Sequence, residues 1–203
     1  MKFVLFVEGY TERALSSFLK RWLDPRLSRP VGVEPVRFSG SSDYLKSLTQ
    51  RAKRDLDSGH LIAVIGLLDL YGASLEFPPN STTDAKCAWA KAKLERQVGD
   101  SRFRQHFAVH ETEAWLLSEP NAFPTSVRTR IQDVAHRPES VNFQQPPSKL
   151  LQALYKAGGR DYKKVTDGSI LFGRLTPDSA YAKCPHLALL LDDMLSLAKA
   201  AGL

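Results

Sequence analysis

Runs of apolar residues that end in acids dominate the pattern of this chain. The runs are residues 3–7 before Glu8, residues 61–68 before Asp69, and the less purely apolar residues 103–109 before His110, Glu111 and Glu113. The first two runs show no alternation, which predicts strands buried on both faces, as in a parallel α/β sheet. Ligands of such sheets bind at the carboxyl ends of the strands. The pattern therefore predicts that these acids lie at one functional edge.

Helical patterns separate the predicted strands, and a further strand is predicted at 33–38. The predicted helices cover about 11–23, a segment with Asp43 near its start and Leu56 in its buried stripe, 83–98, and a segment that begins near Glu111. Thr11 is suited to cap the first of them. In the helix at 83–98, Ala85, Ala88, Ala92 and Leu94 are compatible with packing on a sheet, with Trp89 as an anchor.

The second half of the chain has a different composition. Five of the twelve prolines lie in 120–147, which predicts an irregular connection with a short helix at about 126–134. Helices are predicted over 148–157, 162–175 and 187–200, without strands between them. The predicted fold is α/β, with a mainly parallel sheet flanked by helices. Residues 1–119 would form the core, 120–147 the connection, and 148–203 a small helical C-terminal part packed on the core.

Composition narrows the functional classes. No run approaches the roughly 20 apolar residues of a membrane span, and the first strand begins directly after Met1, which leaves no signal peptide. We therefore expect a cytoplasmic protein without membrane contact. Cys87 and Cys184 lie too far apart for a CxxC metal knuckle. The net charge of +6 suggests a polyanionic partner such as nucleic acid, but is also compatible with solubility alone.

The strand-end acids suggest metal chemistry. Two carboxylates held together in a site of low dielectric repel each other unless a cation compensates, and hard divalent cations prefer oxygen ligands. Glu111 and Glu113 have an alternative explanation, because acids also suit a helix N-terminus. Ala114 stands where an HExxH zinc motif needs its second histidine. The sequence also lacks a GxxxxGK phosphate loop, a GxGxxG fingerprint and a GxSxG nucleophile elbow.

Together these motifs resemble a known family. An acid and glycine after a first strand, followed by an acid after a later strand, is similar to the TOPRIM fold of topoisomerases, primases and overcoming-lysogenization-defect (OLD) nucleases. The chain resembles more closely the bacterial family called domain of unknown function 4276. The segments that carry this closer resemblance are 7–12, 69–72 with 77–78, 110–117, 147–149, 162–164 and 184–186.

The resemblance implies a phosphodiester-cleaving site that uses Mg²⁺ or Mn²⁺, often encoded beside an ATPase in phage or plasmid defence. In this interpretation Glu8, Asp69 and Glu113 hold the metal. The roles of the other candidates are as follows: Glu111 supplies a further oxygen, Glu12 lies in or next to the metal shell, His110 orients a carboxylate or the substrate, and Lys149, Lys163 and Lys164 steady the nucleic-acid backbone. Ordinary solvated lysines are the alternative for the last three.

One departure from the TOPRIM pattern bears on catalysis. TOPRIM enzymes carry a DxD pair after the middle strand, whereas the second position here is Tyr71. A phenol that titrates near pH 10 does not replace a carboxylate ligand at neutral pH. The sequence therefore leaves open one metal or two, DNA or RNA, self-assembly, and a rival function as a non-catalytic binding component of an ATPase complex.

Overall fold

Four strands form one parallel sheet at the centre of the protein. The computed structural model describes residues 1–9, 12–131, 134–140 and 145–203, the side chains of residues 12 and 13 excepted. The strands are β1 (Lys2–Glu8), β2 (Gly32–Phe38), β3 (Leu61–Asp69) and β4 (Phe103–Ala108). They lie in the order β2-β1-β3-β4, and every neighbouring pair is parallel. The predicted α/β class and parallel sheet are confirmed.

Helices cover both faces of this sheet. In the described residues they are α1 (Glu12–Leu23), α2 (Ser41–Leu56), α3 (Thr83–Val98), α4 (Glu113–Leu117), α5 (Thr125–Arg128), α6 (Pro147–Ala157), α7 (Lys164–Arg174), α8 (Pro177–Lys183) and α9 (Pro185–Ala200). The sequence did not predict α8, because this helix of seven residues, which begins at Pro177, is too short to show a helical repeat of apolar residues. Within the described residues, no helix combines the length and the apolar character needed to span a bilayer.

The unbroken apolar run of β1 reflects burial on both faces. Phe3, Leu5 and Val7 pack with α1 and the C-terminal helices, whereas Val4 and Phe6 pack with α2 and α3. Successive side chains of a strand point to opposite faces, so each face of β1 receives an apolar residue at every second position. An acid at the end of such a strand is held at the edge of two hydrophobic layers.

The C-terminal helices complete one of these layers. Phe172 of α7 packs edge-on against Phe18 of α1, with ring centroids 5.8 Å apart. Tyr181 of α8 stacks on Trp22 of α1 at 4.5 Å. Helix α7 therefore has a fixed position against α1, and its first residue, Lys164, reaches the strand-end edge of the sheet.

A buried polar contact constrains the other layer. Tyr44 of α2 donates a hydrogen bond to Gln105 Oε1 of β4 at 2.6 Å, across β3. A Cβ atom at Gly66 of β3 would overlap both of these side chains. Glycine is therefore required in the middle of the most apolar strand, where only its small size lets the bridge pass.

Candidate active site at the strand ends

A narrow cleft opens where β1 and β3 end. Glu8 and Asp69 line it together, with Thr112 beside them. Its internal volume is about 10 Å³, roughly the space that one water molecule needs. Gly9 follows Glu8 with a φ of 118°, a conformation that other residues rarely adopt. The chain can therefore turn away immediately after Glu8.

Glu8 is held by the start of α2. The backbone amide of Ser41, the first residue of that helix, donates a hydrogen bond to the Glu8 carboxylate. Burial raises the pKa of Glu8 above its ordinary value, while the Ser41 amide and the charge of Lys164 act in the opposite direction. The Ser41 amide therefore favours the ionised carboxylate, but burial still leaves the charge of Glu8 incompletely compensated.

Asp69 is held by the chain that follows β4. The backbone amide of Thr112 donates a hydrogen bond to Asp69 Oδ1 at 3.1 Å. Burial raises the pKa of Asp69 well above its ordinary value; Glu113 adds to the rise and Lys164 opposes it. A nearby cation would therefore stabilise the ionised form of Asp69.

Lys164 supplies part of that positive charge. Its Nζ lies 2.9 Å from Glu113 Oε1, and Glu113 is only 1% exposed. Burial lowers the pKa of Lys164, but the carboxylates of Glu113, Asp69 and Glu111 outweigh this and raise it above its ordinary value. The lysine that the sequence suggested for phosphate binding thus lies within the group of strand-end acids.

Glu111 has a different contact. Its Oε2 accepts a hydrogen bond from the Ser148 backbone amide at 2.8 Å, and its Oε1 accepts one from Ser148 Oγ at 3.0 Å. Ser148 lies in the first turn of α6, so Glu111 satisfies an amide at a helix start. The contact joins the segment after β4 to the C-terminal helices.

His110 lies in the same segment and is buried. Its backbone oxygen accepts a hydrogen bond from the Tyr71 amide at 3.0 Å, which keeps the chain after β3 beside the chain after β4. Burial lowers the pKa of His110 below its ordinary value, although the charge of Glu111 acts in the opposite direction.

The remaining predicted residues are exposed or have side chains that the structure does not describe. Lys149 and Lys163 are exposed, and Tyr71 is 44% exposed. The side chain of Glu12 lies outside the described residues, as does the Thr11 cap. In the parts of the chain that the structure describes, no three His, Cys, Asp or Glu side chains are gathered closely enough to hold a metal by themselves.

Sequence reasoning missed Glu139, a buried acid from the proline-rich connection. It accepts hydrogen bonds from Trp115 Nε1 at 3.2 Å, from the His186 amide at 2.9 Å and from the Leu187 amide at 3.3 Å. Burial raises its pKa to about 7. Glu139 thereby ties α4 to the start of α9. Its surroundings have no hydrophobic period, so no signal in the sequence pointed to it.

A wider groove, of about 600 Å³, lies between α3, β4 and α9 and shares no residue with the strand-end cleft. Its polar residues contact one another: Asp193 Oδ2 lies 3.0 Å from His106 Nε2 and 3.1 Å from Lys91 Nζ. The hydrogen bond with His106 and the nearby Lys91 lower the pKa of Asp193. Because these groups compensate one another, we assign the candidate site to the strand-end cleft.

Comparison with known proteins gives a family and one structural likeness. No curated protein matches the sequence significantly. Among solved structures, the C-terminal region of the Burkholderia pseudomallei OLD protein is similar at 16% sequence identity and a TM-score of 0.48, over 95% of this chain and 98% of that one. The family model described as "Domain of unknown function (DUF4276)" matches residues 7–195. Because that match spans nearly the whole sequence, the chain belongs to the DUF4276 family, as its motifs predicted.

Proposed function

We propose that this protein is a nuclease that depends on Mg²⁺ or Mn²⁺ and holds the metal between Glu8 and Asp69. The observation that carries the proposal is that these two carboxylates line one cleft. Each is oriented by a backbone amide, which leaves other carboxylate lone pairs for further ligands. The resemblance of the strand-end motifs to TOPRIM nucleases points to the same chemistry.

The donor set fits a small hard cation. Mg²⁺ is commonly bound by one or two carboxylates, with water and substrate phosphates completing its shell. Glu8 and Asp69 supply two carboxylates, and the cleft has room for about one ion or water. Glu113 pairs with Lys164 and Glu111 with Ser148. The proposal therefore rests on the first two acids, and metal-ligand roles for Glu111 and Glu113 stay predictions.

We assign a different role in phosphodiester cleavage to each residue around the cleft. Glu8 and Asp69 would hold the divalent metal, which would supply an activated water and neutralise charge on the phosphate. Ser41 and Thr112 orient the two carboxylates through their amides. Glu113 fixes Lys164, whose side chain is 45% exposed and so can also meet a phosphate oxygen. Glu12 and His110 remain predicted participants.

The proposed substrate is DNA or RNA, bound through its backbone. Lys149 and Lys163 are exposed cations suited to contacts with phosphate, which carry no sequence information. An ATPase partner and a role in phage or plasmid defence are what the family resemblance implies, and they belong to the same proposal.

One observation favours a second function, that of a non-catalytic binding component of an ATPase complex. Lys164 places an ammonium beside Glu113 and within electrostatic range of Asp69. This charge stabilises the group of acids without any metal. Tyr71, in place of a second aspartate, points in the same direction. A protein with this arrangement could keep the fold and lack hydrolysis.

A cleavage assay separates the two functions. Wild type, Glu8→Gln and Asp69→Asn are each incubated with DNA and with RNA, in Mg²⁺, Mn²⁺ or EDTA, with and without a neighbouring ATPase where one is encoded. The nuclease proposal predicts metal-dependent cleavage by wild type. Both variants should lose activity by at least about a hundredfold, of the order seen when one group that stabilises the transition state is removed. Glu34→Gln, which changes an exposed glutamate on β2, is the control. Cleavage by no protein under any condition would favour the binding component.

A further inference from the structure

Helix α3 and the loop before it carry aromatic and basic side chains that do not line the strand-end cleft. The ring of Trp89 lies 6.0 Å from that of Phe77, at an interplanar angle of 60°. Lys93 Nζ lies 4.7 Å from the centre of the Trp89 ring, and Lys86 Nζ lies 5.8 Å from that of Phe77. With the exposed Arg96, these five residues are called the α3 platform below.

A hollow on the α3 platform has the chemistry of an anion site beside an aromatic ring. It has a volume of about 430 Å³ and is lined by Trp89, Ala92, Lys93, Arg96 and Gln97. Among the residues that the structure describes, no carboxylate lines this hollow. Glu76 lines an adjoining hollow with Lys93, so two cations face one nearby acid. The remaining positive charge favours a negatively charged occupant, and the half-buried indole ring favours one that also has a flat face.

The outward side of α3 keeps the tryptophan accessible. Ala85, Ala88 and Ala92 are exposed around Trp89, whereas the buried stripe of the helix consists of Ala90, Leu94 and Val98. Small neighbours leave room for a ligand to approach the ring. The three alanines therefore do not pack on the sheet as the sequence suggested, whereas Trp89 packs partly against the core beside Phe77 and leaves the rest of its ring exposed.

The α3 platform is connected to the strand-end cleft through one loop. The chain leaves Asp69, passes Ser74 and reaches Phe77. Ser74 Oγ lies 3.0 Å from Ser41 Oγ, and the Ser41 amide holds Glu8. This loop therefore connects, along the chain, Asp69 of the strand-end cleft with Phe77 of the α3 platform.

We propose that the α3 platform binds single-stranded nucleic acid, with a base stacked on Trp89 and phosphates against Lys93 and Arg96. Aromatic rings flanked by cations bind single strands without sequence preference, because every base has a stacking face and every nucleotide a phosphate. A duplex fits less well, since its bases are already paired and stacked. This inference rests on the proposed nuclease function and specifies the form of its substrate.

Binding is measured without metal, so that it does not depend on cleavage. The probe is a fluorescein-labelled 20-nucleotide single strand, as DNA and as RNA of the same sequence, titrated with protein in EDTA at several salt concentrations. Intrinsic fluorescence gives a second readout, because Trp22 and Trp115 are buried and Trp89 is the partly exposed tryptophan. The variants are Trp89→Leu and the double variant Lys93→Ala with Arg96→Ala. Lys199→Ala, an exposed lysine of α9, is the matched control.

Binding of the single strand should quench the tryptophan fluorescence of wild type. Trp89→Leu should bind the single strand with roughly tenfold lower affinity. The double variant should lower the slope of log affinity against log salt by about 1.4, or about 0.7 for each lost phosphate contact. Lys199→Ala should bind like wild type. The inference is overturned if wild type binds no single strand at low salt, or if Trp89→Leu and the double variant both bind like Lys199→Ala.

These outcomes are independent of the nuclease assay. Loss of binding in the variants together with absence of cleavage would uphold the α3 platform and overturn the nuclease. Cleavage that depends on Glu8, together with wild-type binding by Trp89→Leu and by the double variant, would uphold the nuclease and overturn the α3 platform. Circular dichroism checks that each variant is folded. Lys93 and Arg96 are exposed, so the double variant is less able than Trp89→Leu to disturb the fold.

Discussion

At the scale of single residues, Lys164 controls the charge balance of the strand-end cleft. Its ammonium lies beside a glutamate that is almost fully buried, and three carboxylates raise its pKa. Removing one partner of a buried ion pair leaves an uncompensated charge, which costs more than the pair itself contributes. Lys164 is partly exposed, so solvent reduces that cost.

Lys164→Met should therefore lower the free energy of unfolding in metal-free buffer by roughly 1 to 3 kcal/mol. Mg²⁺ should stabilise this variant relative to its own metal-free form, because a ligand that binds only the folded state shifts the equilibrium. Urea unfolding with and without Mg²⁺ measures both effects. Lys163→Met changes the exposed neighbouring lysine and should stay within about 0.5 kcal/mol of wild type. Equal urea midpoints for the two variants would contradict the assigned role of Lys164.

Gly66 gives a second prediction at this scale. A Cβ at that position would overlap Tyr44 and Gln105, so Gly66→Ala should lower the free energy of unfolding by roughly 1 to 3 kcal/mol, the usual cost of overpacking. Gly173 in α7 has no atom within 4 Å of a Cβ placed there. Gly173→Ala should therefore be neutral or stabilising by up to about 1 kcal/mol. Urea unfolding of the two variants gives the comparison, and similar stabilities would refute the close-approach argument.

At the scale of elements, Glu139 joins the proline-rich connection to the start of α9. Its pKa of about 7 lies above the 4.5 of an ordinary glutamate. Between these values the folded state keeps a proton that the unfolded state has lost. Stability from this group is therefore full below pH 4.5 and is lost as the pH rises towards 7, by about 3 kcal/mol in total.

Glu139→Gln removes this titration. The free energy of unfolding of wild type should fall more steeply between pH 4.5 and 7.5 than that of the variant, by about 3 kcal/mol over the range. One amide oxygen cannot accept all three hydrogen bonds, so the variant has a lower free energy of unfolding at every pH. The readout is therefore the pH dependence and not the stability at a single pH. Urea unfolding across the pH range measures it, with Glu34→Gln as control. Parallel curves for wild type and Glu139→Gln would contradict the role of Glu139.

The elements that the sequence predicted well are those with a strong period or an unbroken apolar run. The strands β1 and β3 and helix α3 were found nearly to the residue, because burial on both faces and clear stop signals leave little ambiguity. The buried face of α3 was found only in part: Leu94 is buried as predicted, whereas Ala85, Ala88 and Ala92 are exposed, since alanine fits either a packed or an exposed position. Seven-residue α8 lacked a detectable period.

The candidate site was predictable only in part. Glu8 and Asp69 could be named because both follow apolar strands, and parallel strands bring their ends together. The contacts of Lys164 and Glu139 were not predictable, because each depends on how segments distant in sequence pack together. A lysine at a helix start and a glutamate in a proline-rich stretch look like ordinary surface residues until α7 and α9 are placed.

At the scale of the whole molecule, the C-terminal helices share a core with the sheet. Phe18, Leu19 and Trp22 of α1 lie in one apolar cluster with residues of α7, α8 and α9. The division into residues 1–119, 120–147 and 148–203 remains a prediction. A chain ended after residue 119 would expose one layer of this cluster to water.

Such a shortened chain should therefore not fold cooperatively. Thermal unfolding followed by circular dichroism should show a gradual change for residues 1–119 and a single transition for the full chain. A sharp transition of the shortened chain near the melting temperature of the full chain would show instead that residues 1–119 are independently stable.

The central claim is that Glu8 and Asp69 together hold a divalent cation, and the most direct test is Mn²⁺ binding measured by electron paramagnetic resonance. The signal of free Mn²⁺ should fall on addition of wild-type protein and of Glu34→Gln. Glu8→Gln and Asp69→Asn should each weaken the binding at least tenfold, since each removes one charged oxygen ligand. Mn²⁺ binding of equal strength by wild type and both variants, or no binding by wild type, would contradict the account.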